Sequence, residues 1–155
     1  MPKSLTLEEA FVKCCKEGKI IPIDQVNKLK IQKLLAVADA DYALANRTKS
    51  ILKEESAEWS GIYKLCFDAL HELIYAFLIF EKMSSSNHQC LFAYICHKHP
   101  ELELEWNFLE RVRTRRNGAN YYGTLVTYDN FKEDSLGFNL YINLLRKEIL
   151  KRLKE

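Results

Sequence analysis

One long segment of regularly spaced apolar side chains constrains the fold of this chain more than any other feature. From about Ala57 to Lys82, apolar side chains recur every three or four residues, which is the period of an α-helix. The first apolar row consists of Trp59, Tyr63, Cys66, Leu70, Leu73, Phe77 and Phe80. The second row consists of Ile62, Ala69, Ala76 and Ile79. Two apolar rows predict burial on two sides, so we expect this helix at the centre of a helical bundle.

The rest of the chain is also expected to be helical. Only five glycines and three prolines interrupt 155 residues, which favours long helices over strands and turns. The predicted fold is an all-α, up-and-down bundle of four main helices plus short flanking helices, forming one domain over residues 1–155. The other helices are expected over about Leu7 to Lys16, after an N-cap at Asp24 until the polar stretch Asn46 to Ser56, through about His97, from near Glu101, and over about Glu133 to Leu153.

Charge and cysteine usage narrow the class of protein. Lys and Arg number 23 against 21 Asp and Glu, so the net charge of +2 does not by itself indicate a nucleic-acid or membrane partner. The amino-terminal residues lack the pattern of a secretory signal, and no apolar run approaches the length of a membrane span, so we expect a cytoplasmic protein. The odd number of cysteines and their spacing predict no disulfides. These cysteines are Cys14, Cys15, Cys66, Cys90 and Cys96.

The helix expected from Glu101 has an apolar stripe that turns polar halfway along. Its register runs through Leu102, Trp106, Leu109, Arg113, Arg116 and Asn120. A guanidinium that faces a core or an interface needs a partner, because an unpaired buried charge is costly and arginine does not lose its proton. Three readings remain open: pairing with Asp68 or Glu72 of the central helix, extension of the helix into water, or a phosphate ligand. Arg111 and Arg115, on an adjacent face, would strengthen the positive field.

Three segments of the sequence together resemble the HEPN family, the higher-eukaryote and prokaryote nucleotide-binding helical domain. They are DALHELIYAFL in the central helix, SSSNHQCLFAYI after it, and LERVRTRRNGANYYG at the polar turn of the stripe. The resemblance covers about Ile31 to Gly123. The family is marked by an arginine, a polar residue, three further positions and a histidine. These positions correspond here to Arg116, Asn117 and Tyr121.

The resemblance implies a helical homodimer in which the motifs of two subunits meet, and it implies a metal-independent ribonuclease without a cofactor. It further implies a toxin–antitoxin or RNA-processing setting and a small nucleotidyltransferase as a possible protein partner. Arg116 and Tyr121 are then the expected catalytic residues. The expected binding residues for RNA or nucleotide are Arg113, Asn117, Asn120 and Tyr122, with Asp68, His71 and Glu72 in support.

Tyrosine in place of the motif histidine changes the expected chemistry. An imidazole exchanges protons near neutral pH, whereas an ordinary tyrosine has a pKa near 10. Tyr121 could donate a hydrogen bond or act as a base. Alternatively, the domain could bind RNA without cutting it, could be a catalytically silent partner, or could be a purely structural bundle. Tyr121 and Tyr122 are also candidate acceptors for nucleotidyl transfer. His71 would supply an imidazole if its side of the central helix faces the arginines.

Two further groups of residues are weaker signals. Cys90, Cys96, His97 and His99 include zinc-ligand types, but Cys90 and Cys96 point to different sides of a helix, so no metal site is expected. His88 follows a serine-rich turn and is expected to cap a helix or pack against one.

Overall fold

The long apolar segment forms the central helix of the bundle, as predicted. The computed structural model describes residues 4–155, so the first three residues of the predicted domain and of its amino-terminal segment lie outside it. The described helices are α1 (Leu7–Lys16), α2 (Lys28–Lys49), α3 (Trp59–Phe80), α4 (His88–Lys98), α5 (Trp106–Tyr121) and α6 (Tyr128–Leu153). No helix in this range is long and apolar enough to span a membrane. The all-α bundle class is confirmed.

Helix α3 lies in the middle because both of its apolar rows are covered. It packs most extensively against α2 and α6, and also against α4 and α5. Tyr63, Phe67 and Phe77 are wholly buried along it. Burial of a large apolar side chain contributes about 1.5–3 kcal/mol, so these contacts are a principal source of the stability of the bundle.

Three helices begin at positions other than those predicted. Helix α2 is capped by Asn27, whose side chain accepts a hydrogen bond from the Lys30 amide, and not by Asp24. The reason is a short antiparallel pairing, in which Ile21–Pro22 (β1) and Met83–Ser84 (β2) hold the chain extended before the helix.

Helices α5 and α6 differ from prediction for local reasons. The chain after His99 makes a 3-10 turn over Pro100–Leu102, and Glu103 has a left-handed φ of 55°. A helix therefore does not start near Glu101, and α5 begins five residues later at Trp106. Helix α6 begins at Tyr128, earlier than predicted, because Thr127 and Asn130 form a reciprocal capping box.

The expectation of no disulfides is wrong. Helix α1 packs against α4 and brings Cys14 and Cys90 together, with a Cα–Cα distance of 5.7 Å and a disulfide between them. These residues are 76 positions apart, so their spacing in the sequence contains no sign of the pairing. Cys66 and Cys96 are buried thiols, as expected, and Cys15 is exposed.

Candidate functional site

The apolar stripe of α5 continues into two partly buried arginines. Leu109 and Val112 are wholly buried, whereas the Arg113 and Arg116 side chains are 22% and 18% exposed. Asn120, the next position in the register, is exposed near the end of the helix. The two guanidinium groups therefore lie at the boundary between the core and the surface.

Arg116 lies in this boundary without a close counter-ion. Its guanidinium carbon is 5.3 Å from the centroid of the Phe67 ring, which gives a cation–π contact. Its Nη2 atom is 3.9 Å from Oδ1 of Asp68, a side chain that is 45% exposed, and this distance is too long for a hydrogen bond. Its Nε atom is buried and has no hydrogen-bond partner among residues 4–155. Arg116 therefore has donor capacity that the described part of the chain does not use.

Arg113 is paired on its own helix, so the expected pairing with Asp68 or Glu72 does not apply to it. Its Nε and Nη2 atoms donate to the two carboxylate oxygens of Glu110 at 2.9 and 3.0 Å. The Gln89 side chain of α4 donates to the same carboxylate at 2.9 Å. Glu110 therefore compensates the charge of Arg113 and links α5 to the first turn of α4.

Arg111 and Arg115 point towards α6 and do not strengthen the positive field as predicted. Both pair with the wholly buried carboxylate of Asp134, at 2.8 Å for Arg111 and 2.6 Å for Arg115. Arg115 also pairs with Glu133 at 3.0 Å. The Tyr63 hydroxyl donates to Asp134 at 2.7 Å. Burial, followed by this hydrogen bond, raises the pKa of Tyr63 far above its ordinary value. This network joins α3, α5 and α6 and has a structural role.

Two histidines lie near Phe67, the aromatic ring that Arg116 contacts. The ring centroids of His71 and His88 are 4.3 Å apart. They lie 6.3 Å and 5.7 Å, respectively, from the centroid of Phe67, whose ring also contacts Arg116. Together with Asp68 and Glu72, these groups form a unit that we call the arginine–histidine cluster: Arg116, His71, His88, Asp68 and Glu72.

The arginine–histidine cluster was only partly predicted. His71 was expected to supply an imidazole if its side of the central helix faces the arginines. The polar side of α3 does face Arg116. His88 was expected to cap a helix or pack against one, and its ring does pack against Phe67 and His71 of α3, but its place in the cluster was not predicted. The cap of α4 is Asn87, whose side chain accepts from the Cys90 amide, and this leaves the His88 ring free to lie against His71. A histidine directly after a serine-rich turn was the available signal.

Positive charge surrounds His88 and affects its protonation. Burial, followed by the charges of His71, Arg116 and Arg113, lowers the pKa of His88 to about 4, against a small opposing effect of Glu72. At neutral pH the His88 ring is therefore uncharged. The Nδ1 atom of His71 lies 3.4 Å from Oε1 of Glu72, which forms an ion pair with it whenever His71 is protonated.

A cavity of about 410 Å³ opens beside both histidines. Its walls come from the loop after α1, from α3 and from the turn before α4; they include Gly18, Lys19, Ile21, His71, Glu72, Tyr75, Ser84, Ser85, Ser86 and His88. Lys30 donates to the Tyr75 hydroxyl at 2.8 Å, and this hydrogen bond lowers the pKa of Tyr75. Aromatic rings, hydroxyls and charged groups thus line one space next to the cluster.

The structure does not bring Tyr121 to Arg116 within one chain. Five residues on an α-helix correspond to a rotation of about 140°, so the two side chains leave α5 in different directions. Tyr121 and Tyr122 are 70% and 81% exposed at the end of α5. Asn117 is partly buried beside Arg116. Of the predicted site residues, Arg116, Asp68, His71 and Glu72 therefore lie together, with Arg113 adjacent.

Comparisons of the chain with protein-family models, with curated proteins and with solved structures find no match. The capabilities of the cluster therefore follow from its own chemistry. A guanidinium with unused donors attracts an anion, and a neutral imidazole such as that of His88 can donate or accept a hydrogen bond.

Proposed function

We propose that this chain is an HEPN-like domain that binds RNA or a nucleotide by its phosphate at Arg116, in a toxin–antitoxin or RNA-processing system. The observation that carries the proposal is the Arg116 side chain, whose buried Nε atom has no hydrogen-bond partner within residues 4–155 and whose ion pair with Asp68 is 3.9 Å long. Arginine offers a planar set of donors that matches two phosphate oxygens at once.

The surroundings of Arg116 favour an anionic ligand over a permanent internal pair. The contact with Phe67 fixes the guanidinium plane and lowers the entropy lost on binding. Asp68 is the competing anion, but its carboxylate is half exposed and can turn into water when a phosphate arrives. Burial raises the pKa of Asp68, and the charge of Arg116 opposes this effect.

The end of α5 supports the proposal that the domain acts as a homodimer. Tyr121 and Tyr122 are exposed, and Leu125, which follows them, is 59% exposed. Large apolar side chains grouped on a surface are typical of a protein contact. In a homodimer the Tyr121 hydroxyl of each chain would reach the Arg116 of the other and donate a hydrogen bond to the bound phosphate. A small nucleotidyltransferase is the alternative occupant of this surface.

The binding proposal is tested with Arg116→Ala and a charge-matched control. Arg146 pairs with Asp39 at an exposed position on α6, so Arg146→Ala removes the same charge outside the cluster. The affinity for a fluorescently labelled RNA is measured at several salt concentrations. We expect Arg116→Ala to weaken binding about 10- to 100-fold, since a charge-assisted hydrogen bond contributes about 1.5–3 kcal/mol.

The control variant should bind RNA within about threefold of the unmodified chain, because an exposed ion pair contributes about 0–1 kcal/mol. The slope of the logarithm of the binding constant against the logarithm of the salt concentration should also become shallower in Arg116→Ala, by about the amount expected for one lost phosphate contact. Equal affinities for Arg116→Ala and the unmodified chain would show that phosphate does not bind at Arg116.

A further inference from the structure

We infer that the Cys14–Cys90 disulfide is a redox switch, which locks helix α1 against α4 and, when a dithiol reduces it, frees α1 while the rest of the bundle stays folded. This inference goes beyond the phosphate-binding function proposed above and does not depend on it. One wall of the cavity beside His71 and His88 follows α1 in the chain, and another precedes α4. The redox state of the two cysteines therefore also controls how firmly these walls are held.

Helix α1 is the most weakly anchored of the described helices. It has extensive contacts with only one other helix, α4, whereas the core is built around α3. Only two of its ten residues, Ala10 and Cys14, are buried. A segment with few buried apolar contacts opens locally at a lower free energy than the core does. Helix α1 can therefore detach without unfolding the remainder of the bundle.

The other contacts of α1 restrain it less than the disulfide does. The Phe11 ring stacks on His97 with centroids 3.9 Å apart, and the Trp106 indole donates to the Leu5 carbonyl at 3.0 Å. The ion pair of His97 with Glu8 is exposed, so it contributes little. The Nδ1 atom of His97 is buried and has no hydrogen-bond partner among residues 4–155, which destabilises the closed position of α1. Detachment removes the Phe11 ring from this imidazole, so that water can reach it.

The two cysteines are connected through the backbone to two walls of the cavity. The Cys14 carbonyl accepts a hydrogen bond from the Lys19 amide at 2.9 Å, where the chain leaves α1. The Cys90 amide donates to the Asn87 side chain at 3.0 Å, which fixes the turn before α4. Lys19 lines one wall of the cavity, and residues 84–86 line another. When the disulfide is reduced, these walls are joined chiefly by the short pairing of β1 with β2.

Reduction is a two-electron thiol–disulfide exchange. A thiolate of the dithiol attacks one of the two sulfur atoms, forms a mixed disulfide with it and displaces the other protein sulfur as a thiolate. The second thiolate of the reductant then attacks the reductant sulfur of the mixed disulfide, which releases the remaining protein sulfur. The reductant leaves as a cyclic disulfide, and the protons of its two thiols end on Cys14 and Cys90. Both cysteines are 3% exposed, so the first attack requires α1 to move away from α4 briefly.

The experiment measures hydrogen–deuterium exchange of the full chain by mass spectrometry in two redox states. Oxidised glutathione prepares the oxidised state and dithiothreitol the reduced state, and alkylation of free thiols after denaturation verifies each of them. Cys90→Ser cannot form the disulfide. Cys15→Ser is the control, because Cys15 is an exposed thiol directly beside Cys14. Thermal unfolding of each sample shows whether the bundle remains cooperatively folded.

We expect the amides of residues 7–22 to exchange at least about tenfold faster after reduction, because the disulfide no longer opposes detachment of α1. In the reduced state they should also exchange at least about 100-fold faster than the amides of α3, since the opening is local. Treatment with oxidised glutathione should restore slow exchange. Cys90→Ser should behave like the reduced chain under both conditions, and Cys15→Ser should respond to reduction as the unmodified chain does.

Four results would overturn the inference. Exchange in residues 7–22 that does not respond to reduction would show that other contacts hold α1. Equal exchange rates in α1 and α3 after reduction would show that the disulfide stabilises the whole fold rather than one helix. Alkylation of all five cysteines after treatment with oxidised glutathione would show that the disulfide does not form. Loss of the response in Cys15→Ser would assign the switch to a different pair of thiols.

Discussion

The neighbouring residues Arg115 and Arg116 should differ sharply in their contribution to stability. Their side chains are similarly exposed, at 23% and 18%, and they occupy the same turn of α5. The difference is in their partners. We predict that Arg115→Ala lowers the free energy of unfolding by about 2–3 kcal/mol, because a charged hydrogen bond contributes about 1.5–3 kcal/mol. We predict a loss of about 1 kcal/mol or less for Arg116→Ala.

These magnitudes follow from the contacts of each residue. Arg115 donates at 2.6 Å to the buried Asp134 and pairs with the exposed Glu133. In the Arg115→Ala variant, Asp134 still has its contacts with Arg111 and Tyr63. The loss of stability should therefore stay below the roughly 3–5 kcal/mol that follows when a buried charge is left wholly unpaired. Arg116 loses a long ion pair and one cation–π contact. Its removal also eliminates a buried donor that has no partner in the described part of the chain, which offsets part of that loss.

The assay is thermal and urea unfolding of the two variants beside the unmodified chain. In a domain of this size each kcal/mol shifts Tm by about 2–4 °C. Arg115→Ala should therefore melt about 4–12 °C lower, and Arg116→Ala should melt within about 4 °C of the unmodified chain. A larger loss for Arg116→Ala than for Arg115→Ala would refute the reasoning, because it would make Arg116 a structural residue whose donors are satisfied inside the fold.

Two further predictions concern His88 and the disulfide. Because the folded chain lowers the pKa of His88 to about 4, stability contributed by its neutral ring should fall as pH drops from about 6.5 towards 4. Urea unfolding should show a smaller fall of stability with pH in His88→Asn. NMR titration of Arg116→Gln should show a higher pKa of His88, and a pKa that stays near 4 in that variant would contradict the effect of the Arg116 charge. Cys14→Ser should lower the free energy of unfolding by about 2–4 kcal/mol, because the disulfide to Cys90 closes a long loop, while Cys15→Ser at the adjacent exposed thiol should change it little. Equal stability of Cys14→Ser and Cys15→Ser would contradict that prediction.

The features predictable from the sequence are those that depend on neighbours along the chain. Regular spacing of apolar side chains identified α3 and its central position, because the periodicity of a helix is itself local. The same spacing identified α5 as a helix whose apolar stripe continues into Arg113 and Arg116. It also indicated, conditionally, that His71 faces the arginines.

The features that the sequence did not predict depend on contacts between distant residues. The disulfide joins Cys14 to a residue 76 positions away, and Asp134 of α6 binds Arg115 of α5. Neither pair has a pattern of its own in the sequence. The contact of His88 with His71 was not predicted for the same reason, since only the packing of α4 against α3 brings the two rings together. The starts of α2 and α5 were missed because a short strand pairing and a 3-10 turn override the helical periodicity there.

The Nε–H group of Arg116 gives the most direct test of whether this residue holds a phosphate. Its NMR signal can be followed while an RNA strand with 2′-O-methyl groups is added, with the Nε–H signal of Arg146 as an internal control. The Arg116 signal should shift and saturate together with RNA binding, because its buried Nε atom, which has no partner among the described residues, gains one from the phosphate. The Arg146 signal should stay in place. RNA binding that leaves the Arg116 signal unchanged would contradict the account.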